Sequence, residues 1–182
     1  MEQFKKLETC KPYFDSAYGY AVFDKVTKAG LAIVGGAHGK GDVYVKKNSG
    51  GSFEKVGKST MIQASLGPQF GGQLYSMIIF LETERDFNHF AVDNFEFGAD
   101  ANVVAITASA SGKASTIDKN IRLQAGVTGT DINYEHSTNV LLFSKGMAVF
   151  ASTIGGMMYE ASLSGQRYKY KSIEEEAAEV QE

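Results

Sequence analysis

The sequence predicts an α+β fold dominated by β-structure. The expected form is a mostly antiparallel, strongly curved sheet or partly closed barrel, with an N-terminal amphipathic helix and one inserted helix near 82–93. Three observations carry this. About eight to ten short runs are apolar or alternate apolar with polar, and short turns join them. Glycine is frequent, at 20 residues, and proline scarce, at 2, which suits tight turns and close strand packing. Only two segments show convincing helical spacing. So many strands in one domain call for curvature or closure, because either limits exposed edges.

Taken in order, Phe4, Leu7 and Cys10 recur every third residue among Lys5, Lys6 and Lys11. This predicts a short amphipathic helix stopped at Pro12. "AYGYAVF" leads to a charged turn, "DKVTK". Residues 29–37 and 43–47 read as strands joined by a turn at Gly39–Gly41. "KKNSGGSFEK" reads as a hairpin tip, since Asn-Ser-Gly-Gly supplies residues at ease with positive φ. Residues 60–66 form another strand, interrupted by "GPQFGG". The near-continuous apolar run 74–81 reads as a strand buried on both faces. Residues 82–93 read as a helix with Phe87, Phe90 and Ala91 on one face. Residues 103–109, 125–134 and 147–154 alternate as strands do, and 157–163 with 166–171 suggest a closing hairpin around Gly165. The last ten residues read as a solvated helix or loose tail. The paired glycines Gly35–Gly36, Gly71–Gly72 and Gly155–Gly156 mark close backbone approach.

Composition sets bounds on function. The chain has 43% apolar and 21% charged residues, as globular proteins do. Its net charge of −3 is uneven. Five glutamates lie in 173–182 and no base does, so the rest of the chain sums to +2. A mildly basic body with an acidic tail is not a nucleic-acid binder, which needs a dense Lys/Arg stripe. One cysteine, Cys10, excludes an internal disulfide. The first eleven residues are too polar for a leader's apolar segment. The compartment is therefore cytoplasmic as written, or periplasmic or membrane-associated if a leader has been removed.

The motifs give no catalytic chemistry. Val34 stands where a phosphate-binding GxxxxGK[ST] loop needs its first glycine, and Gly41 follows the lysine where Ser or Thr is required. Tyr44 breaks the dinucleotide spacing GxGxxG. His38, His89 and His136 share no metal-ligand spacing, and GxSxG is absent. The expectation is a non-enzyme without metal or cofactor.

Four blocks in order resemble one family. They are "AYGYAVFDKVTKAGLAIVGGAHGKGDVYV" (17–45), "SLGPQFGGQLYSMIIFLETERDFNHF" (65–90), "FEFGADANVVAITASASG" (95–112) and "SKGMAVFASTIGGMMYEASLSGQRYKY" (144–170). Together they resemble the SYLF domain, in its single-domain bacterial branch. The resemblance implies one domain over 1–171 followed by an acidic tail, 172–182. It implies non-catalytic, peripheral binding to an anionic phospholipid or phosphoinositide-type surface, with actin binding in some relatives. On that reading, Phe4 and Leu7 face the lipid while Lys5, Lys6 and Lys11 meet its headgroups, and Lys28 and Lys40 add charge. Gly35, Gly36, Gly39 and Gly41 form the glycine-rich turn. The alternatives are a protein-interaction or self-associating scaffold, in which "QRYKYK" (166–171) offers an edge, and a carrier of a small apolar ligand inside the barrel.

Overall fold

Two strands of nearly thirty residues organise the molecule. The structure is a computed structural model and describes residues 1–47, 51–92, 95–97, 106–107, 143, 145–160 and 163–179. Strand β1 (Gly19–Lys46) and strand β2 (Phe53–Leu81) pair antiparallel from Gly19↔Leu81 to Lys46↔Phe53. The expected hairpin tip lies between them: Lys47 N donates to Ser52 O at 2.9 Å, and Gly51 has φ 68°. The remaining strands are short. Strand β3 (Phe95–Phe97) and strand β4 (Ile106–Thr107) flank the sheet beside β5 (Met147–Glu160) and β6 (Leu163–Ser172). The order is β3-β6-β2-β5-β4, with β1 on the other edge of β2. Pairing is antiparallel except between β4 and β5.

Several expected turns are strand instead. "DKVTK" is a bulge between Phe23 and Val26, and "GPQFGG" continues β2 through a second irregularity. There Ala32, at φ 58°, pairs with Gln69, and Ile33 alone lies opposite Gly67, at φ 139°, and Pro68. A bulge adds a residue without ending the ladder, and it bends the strand. Nor does Gly165 turn a hairpin. Glu160 pairs with Gln69 and Leu163 with Leu66, so β5 and β6 lie end to end along one edge of β2, both antiparallel to it. The expected strand over 125–134 lies outside the described residues, as does 103–109 apart from Ile106–Thr107.

The bulges fold the β1–β2 ribbon back so that the two ends of β1 meet. Lys46 N donates to Tyr18 O at 2.8 Å. A Cβ on Gly41 would lie 2.5 Å from Val22 O, and one on Gly39 2.8 Å from Val26 Cγ2. These glycines let the crossing backbones touch. The sheet is strongly curved but not closed.

Each face carries a core. One gathers residues from both ends of β1, Phe23 and Val26 with Ala37 and Val43, together with Met61, Met77, Ile79, Leu81 and Tyr168. Helix α3 (Glu84–Ala91) closes it, with Phe90 on Tyr168 at 5.6 Å between ring centroids and Phe87 on Tyr170 at 5.9 Å. A capping box starts α3: Asp86 N donates to Thr83 Oγ1, and Thr83 N to Asp86 Oδ2. The other core lies under two short N-terminal helices, α1 (Glu2–Lys5) and α2 (Lys11–Ser16). Tyr13 and Phe14 pack there on Phe80, at 5.5 and 4.8 Å. Pro12 therefore opens the second helix and does not stop the first. It sits in the first turn, where its missing N–H costs nothing. Helix α4 (Ile173–Glu179) ends the described chain.

Candidate functional site

The residues first picked out by sequence do not form one site. Phe4 is wholly buried and Leu7 packs against the same core, so the apolar face of the first turns lies on the sheet. Gln3 Nε2 donates to Ser76 Oγ, and the N-terminal amine pairs with Asp24, fastening α1 there. Lys5, Lys6 and Lys11 remain at the surface, Lys5 beside Glu2 and Lys11 beside Glu8. Lys28 is half-buried opposite Gln73. The four glycines Gly35, Gly36, Gly39 and Gly41 lie inside β1 and form no turn. Gly35 abuts the Gln69 side chain, and a Cβ on Gly36 would lie 2.8 Å from Gln63 O. Their task is close packing.

Register assembles a different group. Residues directly opposite across an antiparallel ladder share a face. On the outward face of β1, β2 and β6, Lys40, Thr60 and Lys169 form one row. Asp42, Lys58 and Lys171 form the row on one side of it, and His38, Ile62 and Arg167 the row on the other. With neighbouring strands ~4.8 Å apart, Lys40 and Lys169 stand roughly 10 Å apart across Thr60. Lys40, Lys58, Arg167 and Lys169 are exposed, and Lys171 is half-exposed. Three acidic residues border these five cations, the first being Glu96 of β3, opposite Arg167 in the ladder. Asp42 bonds Lys55 at 2.6 Å, which raises the lysine's pKa, and Glu176 of α4 pairs with Lys58.

Polar residues on the inward side of the same strands are hydrogen-bonded, except Ser59, whose buried Oγ has no partner among the described residues. Tyr168 Oη donates to Gln166 Oε1 at 2.7 Å, and Gln166 Nε2 to Gln63 Oε1 at 2.9 Å. Ser65 Oγ donates to Gln69 Oε1 at 2.9 Å. Burial holds the Tyr168 hydroxyl well above the usual tyrosine pKa.

Beyond His38 and Ile62 the outward face loses all charge. Residues 29–39 and 59–81 contain no Asp, Glu, Lys or Arg. Where the ribbon bends, two cross-strand pairs stand out, Leu31 opposite Phe70 and Val34 opposite Leu66. Phe70 is 70% exposed and Leu66 68%, and Leu31, Ile33, Val34 and Ile62 are each more than half exposed. The site is thus a basic face running into an apolar elbow.

The described residues include no group of three or more His, Cys, Asp or Glu able to hold a metal. Cys10 is buried, and burial pushes its thiol up to about 12, far from a reactive thiolate despite the opposing hydrogen bond from Thr9. No helix among the described residues is long and apolar enough to cross a membrane. Phe23, Met61, Met77 and Phe90 pack together on the enclosed face.

Sequence reasoning missed Lys58, Arg167, Lys169 and Lys171 as members of a site. Part of the signal was present: in "QRYKYK" the cations alternate with Tyr168 and Tyr170, which face inward. Joining them to Lys40 needed the three-strand register.

Comparison with known proteins agrees with the motifs. The family described as "Ysc84: Las17-binding protein actin regulator" matches residues 62–176. That range holds β2 from Ile62 onward, β5, β6 and the start of α4. Beta cell expansion factor A of Aeromonas veronii is 29% identical over 168 residues, covering 91% of this chain and 50% of that protein. The chain therefore spans about half the length of the curated relative it matches. No solved structure matches it.

Proposed function

The chain belongs to the Ysc84, or SYLF, family, and on that premise we propose that it is a non-catalytic module that binds the surface of anionic membranes. The observation that carries the reading is the cross-strand basic face of Lys40, Lys58, Arg167, Lys169 and Lys171. Each lysine or arginine held near an anionic bilayer contributes about 1 kcal/mol, and the face as a whole, less the charge that Glu176 sets against Lys58, supports reversible association. Lys5, Lys6 and Lys11 belong to this reading only as added surface charge, because Phe4 and Leu7 are engaged with the sheet.

Co-sedimentation tests it. Phosphatidylcholine vesicles with and without phosphatidylglycerol are compared at low and high salt. Binding should require the anionic lipid and weaken as salt screens the face. Absence of binding to anionic vesicles at low salt would reject the proposal. The family's description names a protein partner and actin regulation, so an acidic protein surface is the second reading, favoured by the same five cations. It gains if vesicles fail while a charge-reversed face loses binding to an acidic protein.

A further inference from the structure

We propose that the apolar elbow of the β1–β2 ribbon is the part of this domain that enters the bilayer, placing Leu31, Ile33, Val34, Leu66 and Phe70 among the acyl chains. The inference rests on the membrane reading above and names the element that does what charge alone cannot.

Four features of the elbow support it. Its apolar side chains are large and clustered: Leu31–Phe70 and Val34–Leu66 face each other across the ladder, and Ile33 projects from the bulge between them. Soluble surfaces carry single exposed apolar residues, whereas contiguous groups mark an interaction site. The elbow is also free of charge on β1 and β2, over 29–39 and 59–81, so neither of these strands desolvates an ion when it leaves water; Glu160 of β5, opposite Gln69, is the acid at its margin. Most of the β2 backbone there is paired, to β1 on one side and to β5 and β6 on the other, with the ladders interrupted at Gly67 and Pro68 and β1 laddered on its β2 side. Sheet whose ladder is made can enter an apolar medium at far lower cost than open loop.

The fourth feature selects a bilayer as occupant. Two residues past His38 and Ile62, on the same outward face, the ladder turns basic at Lys40 and Lys169, with Lys58 and Lys171 one row further. Neighbouring rows of a strand are ~6.6 Å apart, so Arg167, in the His38–Ile62 row, stands two rows (roughly 13 Å) and Lys40 and Lys169 three rows (roughly 20 Å) above the Val34–Leu66 pair. Apolar tip below and cations at headgroup height is the arrangement of an interfacial anchor. An acidic protein would match the lysines but would leave the uncharged tip without a partner of its own kind.

The chain contains no tryptophan, so a single Trp reports one place. F70W in the full chain is mixed with vesicles of phosphatidylcholine and phosphatidylglycerol, and emission is read beside co-sedimentation. I173W, at an exposed position in α4, is the control. The expected result is a shift to shorter wavelength and quenching by brominated acyl chains for F70W, with little of either for I173W. L31D/F70D should keep the fold, judged by circular dichroism and melting, and bind anionic vesicles about tenfold or more weakly through lost apolar insertion. If F70W sediments with vesicles but its emission stays water-like, the elbow proposal fails and the membrane reading stands. Emission already at short wavelength before lipid is added would mean that a second copy or another part of the chain covers the elbow, which also overturns it. If the unmodified chain binds no vesicle, both readings fall.

Discussion

Lys58 and Glu176 lie 118 residues apart in sequence and form an ion pair that ties the acidic α4 to the basic face. The pair is exposed, so it adds little to stability. Its consequence is electrostatic, because it neutralises one of the five cations that would meet an anionic surface. E176Q should bind phosphatidylglycerol vesicles more tightly, by up to about fivefold, the ~1 kcal/mol of one charge near such a surface. A chain ending at Ser172 should gain more. Salt titration of vesicle binding for all three proteins checks this, and unchanged affinity would remove α4 from any regulatory role.

The row Lys40–Thr60–Lys169 gives the complementary test. K40E/K169E reverses two exposed charges without touching either core. We expect an unchanged melting temperature and loss of most anionic-vesicle binding at low salt, with the two proteins converging as salt rises. A K5E/K6E variant, whose charges lie at the end of α1 and not in these rows, should lose less.

Phe4 separates stability from binding. Its ring is buried under the N-terminal helices, so F4A should cost about 3–5 kcal/mol in urea unfolding. Below the unfolding transition, affinity for vesicles should not change. A loss of binding with stability intact would return the site to α1.

Gly41 measures the fold-back of β1. A Cβ there would sit 2.5 Å from Val22 O, and backbone cannot yield as a side-chain tip can. G41A should destabilise by roughly 1–3 kcal/mol, the usual cost of overpacking. Equilibrium unfolding in urea decides, and a neutral result would mean that the two halves of β1 separate easily.

Cys10 sets an alkaline limit. Its thiol is raised to about 12 in the folded chain from an ordinary value near 9. An acid whose folded pKa is raised holds its proton longer when folded, so the native state binds more protons than the unfolded one across that window. Its contribution is therefore complete below about pH 9 and lost as pH rises toward 12. Tyr168, also raised by burial, acts in the same direction starting from the usual tyrosine range. C10A should be somewhat less stable than the parent at pH 7, and the gap should narrow at pH 10. Urea midpoints at the two values test this.

Much was legible from local chemistry. Residues 74–81 read as a doubly buried strand, and Ser76–Leu81 are buried on both faces. The helix within 82–93 was visible in Phe87 and Phe90, and the curved antiparallel sheet in the number of alternating runs. The four motif blocks identified the family. These are properties of periodicity and residue type, which neighbours in sequence settle among themselves. Turns were less legible. Glycine favours a turn, but it also favours a strand that another backbone crosses, and Gly39 and Gly41 take the second role because Val26 and Val22 arrive from the far end of β1. Pro12 was ambiguous in the same way, since proline ends one helix and begins another.

The sequence by itself determined that the chain would be a β-rich SYLF domain with an amphipathic start and an acidic end. Only the tertiary structure decided which residues share a surface. Lys40, Lys58 and Lys169 come from three strands, and register alone puts them side by side. Leu31 and Phe70 are ordinary strand residues until the bulge at Ala32 turns them outward together. Phe4 and Leu7 are an exposed stripe on an isolated helix and become core once Phe80 and Phe150 lie beneath them. Side-chain chemistry is written residue by residue, but exposure and adjacency depend on where distant strands are paired and bent.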